Sequence, residues 1–301
     1  MKQNIHTRPR KGLSPSTKAG ILLVVVAALT LEATSLIQYF YSVKGLEEEA
    51  SKRAETQLEA TRNEIMDVID QTETAIRNSV WIAQWSLTNY PDSLARVSRR
   101  IVRDNPVILG SAMALNPDVS QKLFAPYIFR QGDSLVTRSL ATPEYDYPSK
   151  EWFRKPLELD GEYWSEPYFD TGGGEVLMTT FSCPVKDLSD RPAAVLTADI
   201  YLDWLTDIVG SIRIYPNATI LLISRTGRFM VSKTKELVME KSVIEVVDEI
   251  RGNEDFQILQ QAMLSGESGK MTMKYEGEKS HVFFCPGGAD RMVHVHCHPR
   301  R

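Results

Sequence analysis

At 301 residues, with 43% hydrophobic and 25% charged side chains, the chain has an ordinary globular composition and room for one or two domains. A net charge of −4, with no basic cluster beyond the N-terminus, excludes a nucleic-acid footprint, so no nucleic-acid partner is expected. Cys183, Cys285 and Cys297 lie far apart with no CxxC pair, which excludes a legible zinc or disulfide framework.

The first element is apolar. Ala19 to Tyr41 reads AGILLVVVAALTLEATSLIQYFY, 23 residues whose one charge is Glu32, long enough to cross a bilayer. A cleaved signal peptide is the alternative, because the core from Ile21 to Leu31 has signal length by itself. An uncleaved anchor is favoured: apolar character resumes after Glu32, and Tyr39, Phe40 and Tyr41 sit where an interfacial belt belongs. No clean A-x-A cleavage site precedes a mature start. Lys2, Arg8, Arg10, Lys11 and Lys18 precede the span, and Glu47, Glu48 and Glu49 follow it. The positive-inside rule therefore predicts a single-pass plasma (inner) membrane protein: residues 1–18 cytoplasmic, span 19–41, and the body periplasmic or extracellular.

Residues 42–89 contain no proline and one glycine, Gly45. Leu46, Ala50, Ala54, Leu58, Thr61, Ile65, Val68, Thr72, Ile76 and Ala83 recur at helical spacing, which predicts one stalk helix about 65–70 Å long. A coiled-coil seam would explain the pattern, and a homodimer through Leu46 to Ile65 is the expected assembly. Trp81, Trp85 and Leu87 point instead to a distal half that packs on a sheet.

After Tyr90-Pro91 the pattern changes. LARVSRRIVRDNP reads as a short helix, followed by strand-like runs at 107–115, 123–130, 175–185 and 193–200 and a helix at 201–212. Residues 142–174 read as a loop rich in aromatics, proline and glycine. A second, smaller cycle follows: a hairpin over 218–232, helices over 241–252 and 254–266, and a hairpin around Glu276-Gly277. The fold class is α+β, with two sheet-and-helix modules in tandem behind a long helix.

The densest stretch is YDYPSKEWFRKPLELDGEYWSEPYFDTGGGEVLMTTFSCPV, followed by AAVLTADIYLDWL. Its order of features resembles the double Cache sensor domain of bacterial transmembrane receptors, including histidine kinases, chemoreceptors and membrane serine phosphatases. The resemblance implies two PAS-like antiparallel-sheet modules, a membrane-distal one over 90–212 and a membrane-proximal one over 213–290. It also implies a small ligand held between the distal sheet and the aromatic loop.

The amino-acid-sensing subset of that family resembles a pattern matched here by Tyr145, Lys150, Trp152, Phe153 and Asp199. The resemblance implies that the cation meets a ligand carboxylate, Trp152 walls the pocket and Asp199 meets an ammonium. Trp164 and Tyr168 extend the aromatic wall. Lys150 and Phe153 replace an arginine and a tyrosine, and a lysine cannot make the bidentate contact. The expected ligand is accordingly an amino acid, an amine or a carboxylate-like metabolite. Asp199 has a second explanation as the N-cap of the next helix, and the aromatics have one as loop packing.

There is no nucleophile elbow, HExxH, Walker loop or kinase signature, so no enzyme activity and no cofactor are expected. The partners expected are a small-molecule ligand, the lipid bilayer and a second copy of the chain. A structural or binding domain without a ligand, and an exported enzyme, are the alternatives.

The chain closes on RMVHVHCHPRR, with His294, His296 and His298 at alternate positions. A metal site is one reading, but zinc needs a further ligand and supporting hydrogen bonds, and no metal is expected. Double Cache domains resemble one another in ending on a tail such as Gly-Trp-Ser, a β-run and Pro-Glu. One legal codon set for Asp290 onward, shifted by one base, reads Thr-Glu-Trp-Ser-Met-Ser-Ile-Val-Ile-Pro-Glu. The expectation is a frameshift near Gly288 to Asp290, making 291–301 an aberrant tail on a receptor truncated before its second span and output domain.

Overall fold

The computed structural model describes residues 14–90, 93–171, 175–211, 219–224, 226–231, 238, 240, 242, 245, 254–275, 278–286 and 292–297. Two compact units divide the chain, Met1–Arg53 and Ala54–Arg301. Helix α1 (Pro15–Asn89) has residues in both.

In the first unit Ser14 caps α1. Its hydroxyl accepts the Thr17 N–H at 3.2 Å, and Pro15 takes the first helical position, where a missing N–H costs nothing. The large apolar side chains from Ile21 to Tyr41 are exposed, on a stretch long and apolar enough to cross a membrane. Solvated pairs one turn apart follow, Lys44–Glu48 and Arg53–Glu49.

In the second unit the helical period becomes burial. Ala54, Leu58, Thr61, Ile65, Val68, Thr72, Ile76 and Ala83 are all buried against their own chain. This corrects the expected dimer seam: from Ala54 to Ile65 the apolar face is already covered, whereas Leu46 is exposed. The wide apolar stripe of a globular helix, rather than a narrow coiled-coil seam, explains the spacing. Trp81 and Trp85 are also corrected. They are 66% and 50% exposed, and the end of α1 packs through Ile82 and Leu87 instead.

The first module begins with α2 (Leu94–Asp104) and β1 (Gly110–Leu115), then α3 (Pro117–Ser120), β2 (Pro126–Gln131) and β3 (Ser134–Ser139). The expected loop over 142–174 is largely structured. It holds β5 (Tyr145–Asp146), paired with β4 (Ala141–Thr142), then α4 (Glu151–Leu159), β6 (Tyr163–Trp164) and β7 (Tyr168–Phe169). Two long strands close the module, β8 (Leu177–Lys186) and β9 (Pro192–Tyr201), before α5 (Leu202–Ser211). The sheet runs β3-β2-β1-β9-β8-β6, all antiparallel, with β7 also on β8.

This sheet is covered on both faces, so β8 and β9 are buried along almost their whole length, including the polar Thr180, Ser182, Thr197 and Asp199. One face carries Met113, Leu115, Ile128, Phe181, Cys183, Val185, Leu196 and Ala198, packed on α2 and on Ile76 and Ala83 of α1. Each fully buried Ile, Leu or Phe there contributes about 1.5–3 kcal/mol. The other face carries Ala112, Ala114, Tyr127, Phe129 and Val195, under Tyr145, Tyr147, Trp152 and Phe153.

The second module holds β10 (Thr219–Ile223), β11 (Phe229–Val231), α6 (Glu254–Leu264), β12 (Gly269–Tyr275), β13 (Glu278–Pro286) and β14 (Met292–Cys297). Its order is β11-β10-β14-β13-β12. The expected helix over 241–252 falls mostly outside the described residues.

The two sheets share one plan. Counting β1, β2, β6, β8 and β9 as strands one to five, the first runs 2-1-5-4-3, and so does the second. This PAS-like order puts the first and last strands side by side at the centre. A closing strand is therefore a central one, and the backbone of β14, within the terminal histidine stretch, fills that place between β10 and β13.

Candidate ligand-binding site

The site lies on the loop-covered face of the first sheet. Strand alternation puts Gly110 and Ala112 of β1, Thr180 and Ser182 of β8, and Thr197 and Asp199 of β9 on that face. Register places Asp199 opposite both Gly110 and Thr180. Small residues on β1 leave room for Tyr127, whose hydroxyl sits 2.2 Å from where a Cβ on Gly110 would lie.

Asp199 is buried. Its Oδ1 accepts the Thr180 hydroxyl at 2.8 Å, and Thr180 Oγ1 shares a 2.8 Å bond with Tyr168 Oη. The side chain thus faces the sheet surface three residues before Leu202, where α5 begins, so its alternative explanation as a helix cap does not hold. Among the described residues no lysine or arginine pairs with it. Burial pushes the Asp199 carboxyl up to about 7; the Asp170 charge adds to this, and the Thr180 bond opposes it.

A second buried carboxylate, Asp170, follows β7 and accepts the Tyr145 hydroxyl at 3.0 Å. Trp152 Nε1 donates to Tyr145 Oη at 3.4 Å. Burial and then the neighbouring carboxylates hold the Tyr127, Tyr145 and Tyr168 phenols above their usual range, so all three stay neutral donors. Two hydroxyls on this face, Tyr127 Oη and Ser182 Oγ, are buried without a well-formed hydrogen bond among the described residues, although Asp199 lies beside Tyr127.

The aromatic cover is pinned to the sheet. Tyr147 Oη donates to the Leu115 carbonyl at 2.8 Å, and Phe153 meets the Tyr147 ring edge-on at 5.0 Å between centroids. Trp152 stacks on Tyr147 at 6.5 Å.

The structure brings Tyr145, Trp152, Phe153, Tyr168 and Asp199 to one face of the sheet. Lys150 is exposed, its Nζ 4.9 Å from the Tyr145 ring centroid. Trp164 belongs elsewhere. It pairs with Phe181 on the α1 side of the sheet, its ring 5.1 Å from that of Phe181 and its Nε1 donating to Glu73 at 2.7 Å. The odd-even phase of β6 and β8 turns Trp164 away from Thr180. Sequence reasoning missed Asp170, Thr180 and Tyr127. Asp170 was open to discovery, standing two positions after Tyr168 in the WSEPYFD run.

Two sheets of one PAS-like plan, the first with a buried, acceptor-rich polar cluster under an aromatic cover, are the architecture of this chain. Residues 94–207 match the family model described as the first PDC sensor domain of methyl-accepting-chemotaxis-protein-like proteins. The methyl-accepting chemotaxis protein PscA of Pseudomonas syringae pv. tomato (strain ATCC BAA-871 / DC3000) is 29% identical over 97 residues, 32% of this chain. The chain spans about 15% of that relative's length.

Among solved structures, the periplasmic sensory domain of the Campylobacter jejuni chemoreceptor Tlp1 superposes with a TM-score of 0.62 at 12% identity, over 82% of this chain and 92% of that one. The ligand-binding domain of Mlp24 with asparagine gives 0.59 at 14% identity, over 83% and 93%. That of Campylobacter jejuni Tlp3 with L-norvaline gives 0.57 at 13%, over 83% and 91%. These likenesses establish the shared fold.

Proposed function

We propose that the chain is the ligand-sensing input of a membrane receptor, and that its first module takes a small ligand through an ammonium group placed on Asp199. The observation that carries this is the buried Asp199 carboxylate, held by a hydroxyl and lacking a cationic partner among the described residues. A buried carboxylate without a cation is costly, and a ligand ammonium supplies one. The Tyr127 and Ser182 hydroxyls offer two further contacts, and Tyr145 and Trp152 offer ring faces that favour a cation. Mlp24 with asparagine and Tlp3 with L-norvaline hold ligands that carry such an ammonium.

Lys150 is the candidate for a ligand carboxylate. As an exposed point charge it adds little affinity, so amines lacking a carboxylate bind within a few fold of the matching amino acids. The apolar stretch of α1 anchors the chain. Lys2, Arg8, Arg10, Lys11 and Lys18 hold the N-terminus in the cytoplasm and leave both modules outside. Ligand closes the aromatic cover on the sheet, and α1 carries the change toward the membrane.

Calorimetric titration of the full chain in lipid nanodiscs with L-amino acids, primary amines and carboxylates tests this reading. Amino acids and amines bind; carboxylates without an ammonium do not. Binding of carboxylates alone would refute it.

A further inference from the structure

We infer that the open edge of the first sheet, strand β3, is a docking site for an extended acidic segment of a partner protein. β3 is the outermost strand, and four of its six residues are exposed.

The ladder decides which backbone groups are free. Arg130 gives its backbone N–H to the Leu109 carbonyl on the β1 side, at 2.8 Å, so the pair Arg130–Leu135 carries no bonds between β2 and β3. Pro126, opposite Ser139, has no N–H to give. By alternation the N–H and C=O groups of Leu135, Thr137 and Ser139 turn outward. Among the described residues no backbone group meets those of Leu135 and Thr137. Such a row is a template for an added strand.

Helix α2 supplies the charge. Arg96, Arg99, Arg100 and Arg103 stand among apolar residues in the sequence, but their spacing of i, i+3, i+4 and i+7 gathers them on the exposed helix face. Two contacts align that face with β3. The Arg99 guanidinium donates to Thr137 Oγ1 at 2.7 Å. Arg130, opposite Leu135, donates to the Arg103 and Asn105 carbonyls at 3.4 Å. Arg99 to Arg103 is about 6 Å along a helix, and Thr137 to Leu135 about 6.7 Å along a strand. Helix and strand therefore keep step, running in opposite directions.

An added strand places every second side chain beside Leu135, Thr137 and Ser139, on the sheet face where Leu135 packs and α2 lies. Asp104 engages Arg103 at 2.7 Å and Arg100 at 3.4 Å, and Asp133 stands in the β2–β3 turn. Arg96 and Arg99 form no ion pair among the described residues. Carboxylates at alternate positions of the incoming segment meet this row. A second copy of the chain fits badly, because antiparallel pairing of β3 with itself sets arginine against arginine.

The probe is a fluorescein-labelled peptide, Thr-Glu-Thr-Glu-Thr-Glu-Thr, titrated by fluorescence anisotropy with the full chain in nanodiscs. It binds saturably. The same composition in block order, Glu-Glu-Glu-Thr-Thr-Thr-Thr, and a lysine-for-glutamate peptide bind more weakly by about tenfold or more, as does a peptide N-methylated at alternate residues, which cannot form the ladder. Arg96→Gln combined with Arg99→Gln lowers affinity about fivefold. Thr137→Pro, which deletes an outward N–H and leaves the ladder intact, lowers it about fivefold or more, whereas Thr137→Val stays within about twofold. Thermal melts check that each variant is folded, and the N-methylated peptide tests the edge on the wild type. Absence of binding by the acidic peptide would overturn the inference. Equal binding of the block-order or N-methylated peptide would also overturn it, by reducing the attraction to charge alone.

Discussion

Thr180 and Phe181 are consecutive on β8 and face opposite ways. The Thr180 hydroxyl donates to Asp199 at 2.8 Å, and the Phe181 ring lies 5.1 Å from Trp164, with the Arg77 guanidinium 5.8 Å from its centroid. One strand therefore joins the candidate ligand face to the helix that carries the apolar stretch. A shift of β8 by a few tenths of an ångström at Thr180 is felt at Phe181, because close-packed interiors transmit strain.

Truncating each side separates packing from ligand contact. Phe181→Ala removes a fully buried ring and costs about 3–5 kcal/mol, and it also weakens ligand binding, because β8 relaxes into the void. Glu73→Ala removes one hydrogen bond to Trp164 and one partner of Arg77 and costs about 1 kcal/mol. It leaves affinity at Asp199 within about twofold, since it acts on the reverse face. Urea unfolding paired with calorimetry reads both.

The raised Asp199 carboxyl makes stability and binding depend on pH. Its folded value of about 7 lies above the ordinary carboxylate value of 3.8, so between these the folded state holds the extra proton. The stabilising contribution of that proton is full below the ordinary carboxylate range and is lost as pH rises through about 7. The melting temperature of the ligand-free chain falls over this window, and Asp199→Asn flattens that part of the profile. Ammonium binding runs the other way, since it needs the ionised carboxylate: affinity rises about tenfold per pH unit below 7 and levels above it. A pH series of melts and titrations measures both slopes.

Gly110 and Tyr127 form a matched pair. A Cβ on Gly110 would meet Tyr127 Oη at 2.2 Å and Cζ at 2.6 Å, so Gly110→Ala costs about 1–3 kcal/mol through overpacking and displaces the phenol from Asp199. Tyr127→Phe removes a buried hydroxyl with no well-formed bond, so ligand-free stability holds or rises. Ligand affinity falls if that hydroxyl contacts the ligand. Thermal melts with and without an amino acid distinguish the two effects.

Much of the fold was legible because burial leaves a period. The buried residues of α1 from Ala54 to Ala83 stand at helical spacing in the sequence, and β8 and β9 are long runs of apolar and small residues without a charge until Lys186 and Asp199. The 2-1-5-4-3 order was not legible, because it depends on β1 pairing with β9 across some eighty residues, which no local pattern records. Trp81 and Trp85 misled for a related reason: tryptophan signals an apolar surface without saying whether the chain covers it. The site divided the same way. Asp199 and Trp152 stood out by residue type, but Trp164 was grouped with them from proximity in sequence. Only the phase of β6 against β8 shows that it faces α1. Thr180, an ordinary strand residue, becomes significant only through its register with Asp199.

The most direct measurement is calorimetric titration of an L-amino acid or its decarboxylated amine into the full chain and into Asp199→Asn at pH 7.5. The ammonium site predicts saturable binding to the wild type and a loss of about tenfold to a hundredfold in the variant, the scale of a charged hydrogen bond, with the variant's thermal melt intact. Undiminished binding by Asp199→Asn would contradict the account.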